Sequence, residues 1–225
     1  MKSYRDIQYA LFINLDTRKD REIDTIEEFK KLDIPIERMN ATKLHNKRVA
    51  CSMSHLKCLQ TAKNNKWDHV LIVEDDIQFL QPEVFLENLN KFLSSPIQWD
   101  VLLVAGNNLP PYKKYDDYCI KVSRCQTTTG YLVLSHYYET LINNIKEGMK
   151  LLIKNPDSHF FYAIDKYWIS LQEKDNWFLI TPLTVIQREG FSDIENTKKD
   201  YSSLLLDLDK PYLFNKKKEK KNEYK

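Results

Sequence analysis

Four consecutive apolar residues, Val70-Leu71-Ile72-Val73, run directly into three consecutive acids, Glu74-Asp75-Asp76. A strand that is apolar at every position has both faces covered, as in a mostly parallel sheet flanked by helices. Comparable short runs occur at Tyr9–Ile13, Val101–Val104, Tyr131–Leu134 and Trp177–Ile180. Between them the apolar spacing turns helical: Ile23, Ile26, Phe29, Leu32; then Met53, Leu56, Leu59, Ala62 within 52–64; then Phe85, Leu89, Phe92 after Pro82. Tyr137, Leu141, Ile145 and Met149 form a further stripe, and Phe160, Ile164, Trp168 and Leu171 predict one more helix. This alternation predicts an α/β fold.

With 42% hydrophobic and 12% aromatic residues the chain has enough apolar surface for a real core. Residues 1–212 are expected to form one domain. The net charge is +2, but the last ten residues carry six Lys and two Glu, so the remainder is at −2. An acidic body argues against a nucleic-acid surface. The segment 213–225 is expected to be a disordered basic tail or linker. No apolar stretch is long enough to span a bilayer, and Met1–Asp6 lacks a signal-peptide core. The four cysteines form no CxxC pair. A reduced cytoplasmic protein is therefore expected. Cys51, His55 and Cys58 share a helical face, but no fourth ligand for structural zinc is near in sequence.

Only four glycines are present, at 106, 130, 148 and 190. Neither GxGxxG nor a P-loop can be written with them, which excludes an ordinary Rossmann dehydrogenase or P-loop kinase. The acids at 74–76 sit where α/β sheets bind ligands, outside a strand's carboxyl end. Three adjacent carboxylates repel one another unless a cation offsets them. Oxygen ligands sharing a diphosphate suit Mg²⁺ or Mn²⁺. On an extended backbone Glu74 and Asp76 face one side and Asp75 the other. A solvated acidic turn is the bland alternative.

The chain resembles glycosyltransferase family 25, the lipopolysaccharide-type and collagen-type hexosyltransferases, from about Phe12 to Glu195. The resemblance is carried by Phe12–Arg21, similar to INLD-x-R-x-DR, and by Cys51-Ser52-Met53-Ser54-His55, similar to C-x-x-SH. Leu71–Asp76 resembles LI-x-EDD, Trp99–Leu103 resembles WDLL, and Thr128–Leu132 resembles T-x-x-YL. Ala50 stands where the family often has Gly, and Ala163-Ile164-Asp165 stands for its PVD-type segment.

The resemblance implies a GT-A fold, a UDP-hexose donor, a divalent metal (Mn²⁺ or Mg²⁺) and inversion at the anomeric carbon. Glu74 and Asp76 are the implied metal ligands. Asn14, Asp16, Arg18, Arg21, Ser54, His55, Glu74, Asp75 and Thr129 are the implied donor contacts. For Asp20 and Arg21 the alternatives are a helix cap and a surface charge. Asp165 is the candidate general base, with a salt bridge to Lys166 as its structural alternative. Asp193, in the Gln187–Ile194 segment with a turn expected at Gly190, is the competing base. The polar stretch 107–126 reads as a lid, with a disordered surface excursion as the alternative. The acceptor is a glycan or a protein hydroxyl. A catalytically silent sugar-nucleotide-binding member and a nucleic-acid-processing metalloenzyme are the rival classes.

Overall fold

A computed structural model describes residues 1–213. The elements are, in order, β1 (Ala10–Asn14), α1 (Lys19–Lys30), β2 (Glu37–Asn40), α2 (Lys47–Asn64), β3 (His69–Glu74), β4 (Ile77–Phe79), α3 (Pro82–Ser94), β5 (Val101–Asn108), β6 (Lys113–Asp116), β7 (Cys119–Lys121) and β8 (Cys125–Leu134). There follow α4 (Tyr138–Lys154), three single turns α5 (His159–Tyr162), α6 (Ile164–Tyr167) and α7 (Ile169–Gln172), then β9 (Trp177–Ile180), β10 (Val185–Gln187), β11 (Gly190–Ser192), β12 (Thr197–Lys199) and α8 (Ser202–Leu206). The basic tail expected over 213–225 lies, Leu213 apart, outside the described residues.

The main sheet has eight strands in the order β2-β1-β3-β8-β5-β9-β7-β6. Strands β2, β1, β3, β5, β9 and β6 run one way; β8 and β7 run the other. Because β8 opposes β3, with Val73 paired to Gly130, the start of β8 lies beside the acidic end of β3. That antiparallel neighbour brings threonines to the acids.

Side chains alternate into two cores. Ala10, Phe12, Leu71, Val73, Leu102 and Val104 pack under α1 and α3. Leu11, Val70, Ile72, Val101, Leu103 and Tyr131 pack under α2, α4 and the short helices. The sheet is thus flanked by helices on both faces, as the unbroken apolar runs predict.

Several local expectations change. Ile23 is 62% exposed and Ile26 is also on the surface, while Thr25, Glu28 and Phe29 are buried. The polar partners of α1 decide this rotation. Thr25 Oγ1 donates to the Asp75 carbonyl, and Glu28 accepts the Phe79 amide at 2.9 Å. Asp20 does not cap α1; Arg18 occupies that position without a side-chain cap and pairs with Asp20 instead. Helix α2 begins at Lys47, earlier than residue 52, because Asn46 accepts the Val49 amide at 3.1 Å. The helix expected across Phe160–Leu171 is broken by extended backbone at Ala163, which leaves Phe160 71% exposed. The stretch 107–126 is not a lid. It continues β5, forms the β6–β7 hairpin and pairs with β9.

Candidate active site

The carboxyl end of β3 forms part of a cleft of about 750 Å³. Its lining includes all three acids, the α2 residues Cys51, Ser54 and His55, and Asp165 from α6. The volume is in the range that takes a small organic ligand. Lys43, Lys47 and Arg48 add cationic groups to the wall.

Glu74 and Asp76 share one side. Gln187 Nε2 donates to Glu74 Oε2 at 2.9 Å and reaches Asp76 Oδ1 at 3.4 Å. Asp75 turns the other way, accepting from Asn14 Nδ2 at 2.7 Å and Arg21 Nη1 at 2.8 Å. The period-two alternation of the strand therefore continues through the acids.

Glu74 is the best-held acid on the cleft side. Thr128 Oγ1 donates to its Oε1 at 2.8 Å. His55 Nε2 stands 3.6 Å from the same oxygen, beyond hydrogen-bond length, and has no hydrogen-bond partner among the described residues. The other ring nitrogen of His55 meets the Tyr131 hydroxyl at 3.0 Å. Burial works to raise the Glu74 pKa, but the facing histidine and the Thr128 hydroxyl outweigh it and hold the carboxyl below its ordinary value.

Asp76 is the least satisfied. Among the described residues its oxygens find only Gln187 and Arg21, each at 3.4 Å. Burial, followed by the charge of Glu74, raises its pKa to about 7. Asp75 also titrates above the ordinary range; burial drives it up while Arg21 opposes. One guanidinium thus faces three acids, which leaves the group short of positive charge. Oxygen donors, a charge deficit and a weakly held carboxylate fit a hard divalent cation at Asp76, with Glu74 flanking it.

The other sequence candidates divide. Arg21 and Ser54 line the cleft; Ser54 Oγ accepts the Thr42 amide at 2.9 Å and donates to the Ala50 carbonyl. Asn14 is buried beneath Asp75 and acts as its brace, without lining the cleft. Asp16 is corrected: it points to solvent, paired with Lys43. Arg18 also misses the cleft, held between Asp20 and Asp193 at 2.9 Å each.

Thr129 is corrected too. Its side chain is buried with its hydroxyl on Thr127, and it is Thr128 that faces Glu74. The pairing of β5 with β8 slips between Ala105–Gly130 and Asn107–Gln126, so Thr127, Thr128 and Thr129 stand opposite Gly106 alone. Such a bulge re-aims side chains. Thr127 carries the kink with φ 71°, a left-handed backbone unusual for a β-branched residue.

Asp165 Oδ2 accepts the Thr127 amide at 3.1 Å and lies 3.4 Å from Lys166 Nζ. The contact to Lys166 and a cleft-facing carboxylate thus coexist. Asp193 lines the cleft from the turn after β11, held by Arg18. No tight turn is made by Gly190, which lies in β11 without positive φ. Thr128 and Gln187 are site residues that sequence reasoning did not single out. Their signal was their place in matched segments: Thr128 opens the T-x-x-YL segment and Gln187 opens the Gln187–Ile194 segment.

A family model described as glycosyltransferase family 25 (LPS biosynthesis protein) matches residues 40–168, more than half of the chain. The chain belongs to this family. The matched span holds the C-x-x-SH segment, the acids and Asp165; residues 12–21 and 187–194 fall outside it. No curated protein sequence matches this glycosyltransferase. Among solved structures it is similar to a glycosyltransferase involved in glycosylation of the major capsid of PBCV-1 (TM-score 0.41, 13% identity, 77% of this chain and 92% of that one). It is similar to the glycosyltransferase GlyE of Streptococcus pneumoniae (TM-score 0.47, 7% identity, 78% and 45%). It is also similar to a mutant Drosophila β-1,4-galactosyltransferase 7 in complex with manganese, UDP-Gal and xylobiose (TM-score 0.37, 15% identity, 60% of this chain). The matched part spans about half, 52%, of the Drosophila chain. Among the described residues no helix is long and apolar enough to cross a membrane.

Proposed function

We propose that residues 1–212 act as one catalytic unit that moves a hexose, glucose or galactose, from a UDP-sugar to a hydroxyl of a glycan or protein, with inversion and with Mn²⁺ or Mg²⁺ bound. The observation that carries this reading is the pairing, within one cleft, of a weakly held Asp76 with a separate ionisable acid, Asp165. Membership of a glycosyltransferase family supports the donor class.

Asp76, with Glu74 beside it, is the pair that would hold the cation. Bound there, a divalent cation would offer positive charge to a leaving diphosphate. Arg21 stays bound to Asp75 and Asp76 and keeps the acids in place. Lys43, Lys47 and Arg48 give the diphosphate further positive surface. Asp165 takes the proton from the acceptor hydroxyl while that oxygen attacks the anomeric carbon on the face opposite the UDP. The sugar–phosphate bond breaks and UDP leaves with the electron pair. The amide of Thr127, at 3.1 Å, and Lys166 Nζ, at 3.4 Å, hold Asp165 Oδ2 in position at the cleft.

The test is a panel of UDP-sugars assayed for hydrolysis and transfer with and without Mn²⁺. Turnover of one UDP-hexose that depends on the metal is the expected result. No turnover of any UDP-sugar, with a folded protein, overturns the reading.

A further inference from the structure

The cleft wall contains a donor set of a different kind from the acids. Cys51 Sγ, His55 Nε2 and Glu74 Oε1 all lie within 4.8 Å of one another. The sulfur is 3.9 Å from the carboxylate oxygen and the imidazole nitrogen is 3.6 Å from it. His55 is 1% exposed, yet among the described residues its Nε2 has no hydrogen-bond partner and faces the Glu74 oxygen only at ion-pair distance, 3.6 Å. A buried polar atom without a partner is costly, and a ligand is one way to relieve it. The ring is fixed from behind by the Tyr131 hydroxyl on Nδ1, the kind of outer contact that orients a metal-binding histidine.

We propose that Cys51, His55 and Glu74 form a binding site for a thiophilic divalent cation of the Zn²⁺ class, which shares only Glu74 with the hard-cation position at Asp76.

The geometry and the charge both fit. Tetrahedral Zn²⁺ with one sulfur, one nitrogen and one oxygen ligand separates those atoms by roughly 3.4–3.6 Å. The two separations above need to close by only a few tenths of an ångström, and the third, between sulfur and nitrogen, is within 4.8 Å. Thiolate and carboxylate together cancel the two positive charges, so the buried site ends neutral. Thr128 can keep its hydrogen bond, because a carboxylate oxygen accepts more than one partner. On binding, the thiol proton of Cys51 is displaced to solvent and the sulfur takes its place as ligand. All three residues line the cleft, so a fourth position stays open to it. Cys58, on the same helix, is fully buried in the core beneath α2 and takes no part. This site stands whether or not the cleft transfers hexose. Because Glu74 adjoins Asp76, two dications there repel each other, and Zn²⁺ opposes Mn²⁺.

The experiment titrates Co²⁺, then Zn²⁺, into the EDTA-stripped full-length protein. Co²⁺ reports sulfur ligation through a near-ultraviolet thiolate charge-transfer band. The band is expected in the wild type, displaced by Zn²⁺, and lost in Cys51→Ser. Zn²⁺ affinity in that variant falls by at least the roughly 10–100-fold that loss of even an outer partner costs. Asp76→Asn keeps the band, because Asp76 is not a ligand of this site. Melting curves check that both variants fold. A Co²⁺ complex without the band, an unchanged Zn²⁺ titration in Cys51→Ser, or loss of the band in Asp76→Asn each overturns the site. Prebound Zn²⁺ weakens Mn²⁺ binding in the wild type; equal Mn²⁺ affinity with and without Zn²⁺ overturns the antagonism.

Discussion

Thr128 Oγ1 donates to Glu74 Oε1 across 2.8 Å, tying the start of β8 to the end of β3. The bond exists because the bulge at Thr127–Thr129 turns the middle threonine toward the acids. A hydrogen bond to a charged group contributes about 1.5–3 kcal/mol.

Thr128→Val keeps the shape and removes that donor. It is expected to weaken UDP-sugar binding by roughly tenfold, in line with a loss of about 1.4 kcal/mol or more. Thr129→Val, whose hydroxyl meets only Thr127, is expected to leave donor affinity within about twofold, because no bond to the acids is lost. Calorimetry on both variants checks this, and equal losses in the two would contradict the assignment.

The apolar runs were legible because burial on both faces leaves no polar position in a strand; β3 and β9 read directly from them. Strand direction was not in that signal: Val70–Val73 of β3 is unbroken apolar although one neighbour, β8, runs against it. The acids were legible from their place after β3. Thr128 was hidden because a bulge has no period, so the alternation that places Glu74 and Asp76 misplaces the threonines. The face of α1 was hidden for a different reason. Its inward side is set by Arg21, Thr25 and Glu28 bonding to distant backbone and acids, and those partners outweigh two isoleucines.

Asp76→Ala should abolish metal-dependent UDP-sugar turnover and leave the fold intact, since no short hydrogen bond depends on its side chain. Calorimetry with Mn²⁺ and UDP is the check. Wild-type affinity persisting in the variant would move the cation elsewhere.

The same residue sets a pH dependence in EDTA. Its folded pKa is about 7, against about 3.9 for an unfolded aspartate. Between those values the folded chain retains a proton that the unfolded chain has released. Stability therefore falls as pH rises from about 4 to about 7, and the penalty is complete above that. Relative to wild type, Asp76→Asn should gain melting temperature at pH 8 and show no such gain at pH 4. A difference that does not vary with pH would contradict it.

Asp165 and Asp193 separate binding from chemistry. Asp165→Asn is expected to lower kcat by about 10²–10⁴-fold with donor affinity preserved. Transfer within about threefold of wild type would remove Asp165 as the base. Loss in Asp193→Asn alone would place the base there, and failure of Asp165→Asn to fold would assign Asp165 to its contacts with Thr127 and Lys166.

Gly130 faces the β3–β4 corner so closely that an added Cβ would stand 2.5 Å from Val104 Cγ2 and 3.2 Å from both Ile77 and Val73. Gly130→Ala is expected to cost about 1–3 kcal/mol by overpacking. Gly190→Ala, with no atom nearer than 3.7 Å, is the near-neutral comparison. Denaturant midpoints measure both, and equal shifts would show that the corner yields.

Gln187 grips Glu74 from 113 positions further along the chain. A ribosome therefore completes β1, α1, α2 and β3 long before it makes the side chain that braces their acids. Its strand, β10, is placed by antiparallel pairing with β4, just after the acids. The part of the chain that reads as the site is thus not the part that finishes it. Contacts of such long span close late, since the intervening chain must be ordered first. An interrupted synthesis would leave Glu74 and Asp76 without the side chain that bridges them.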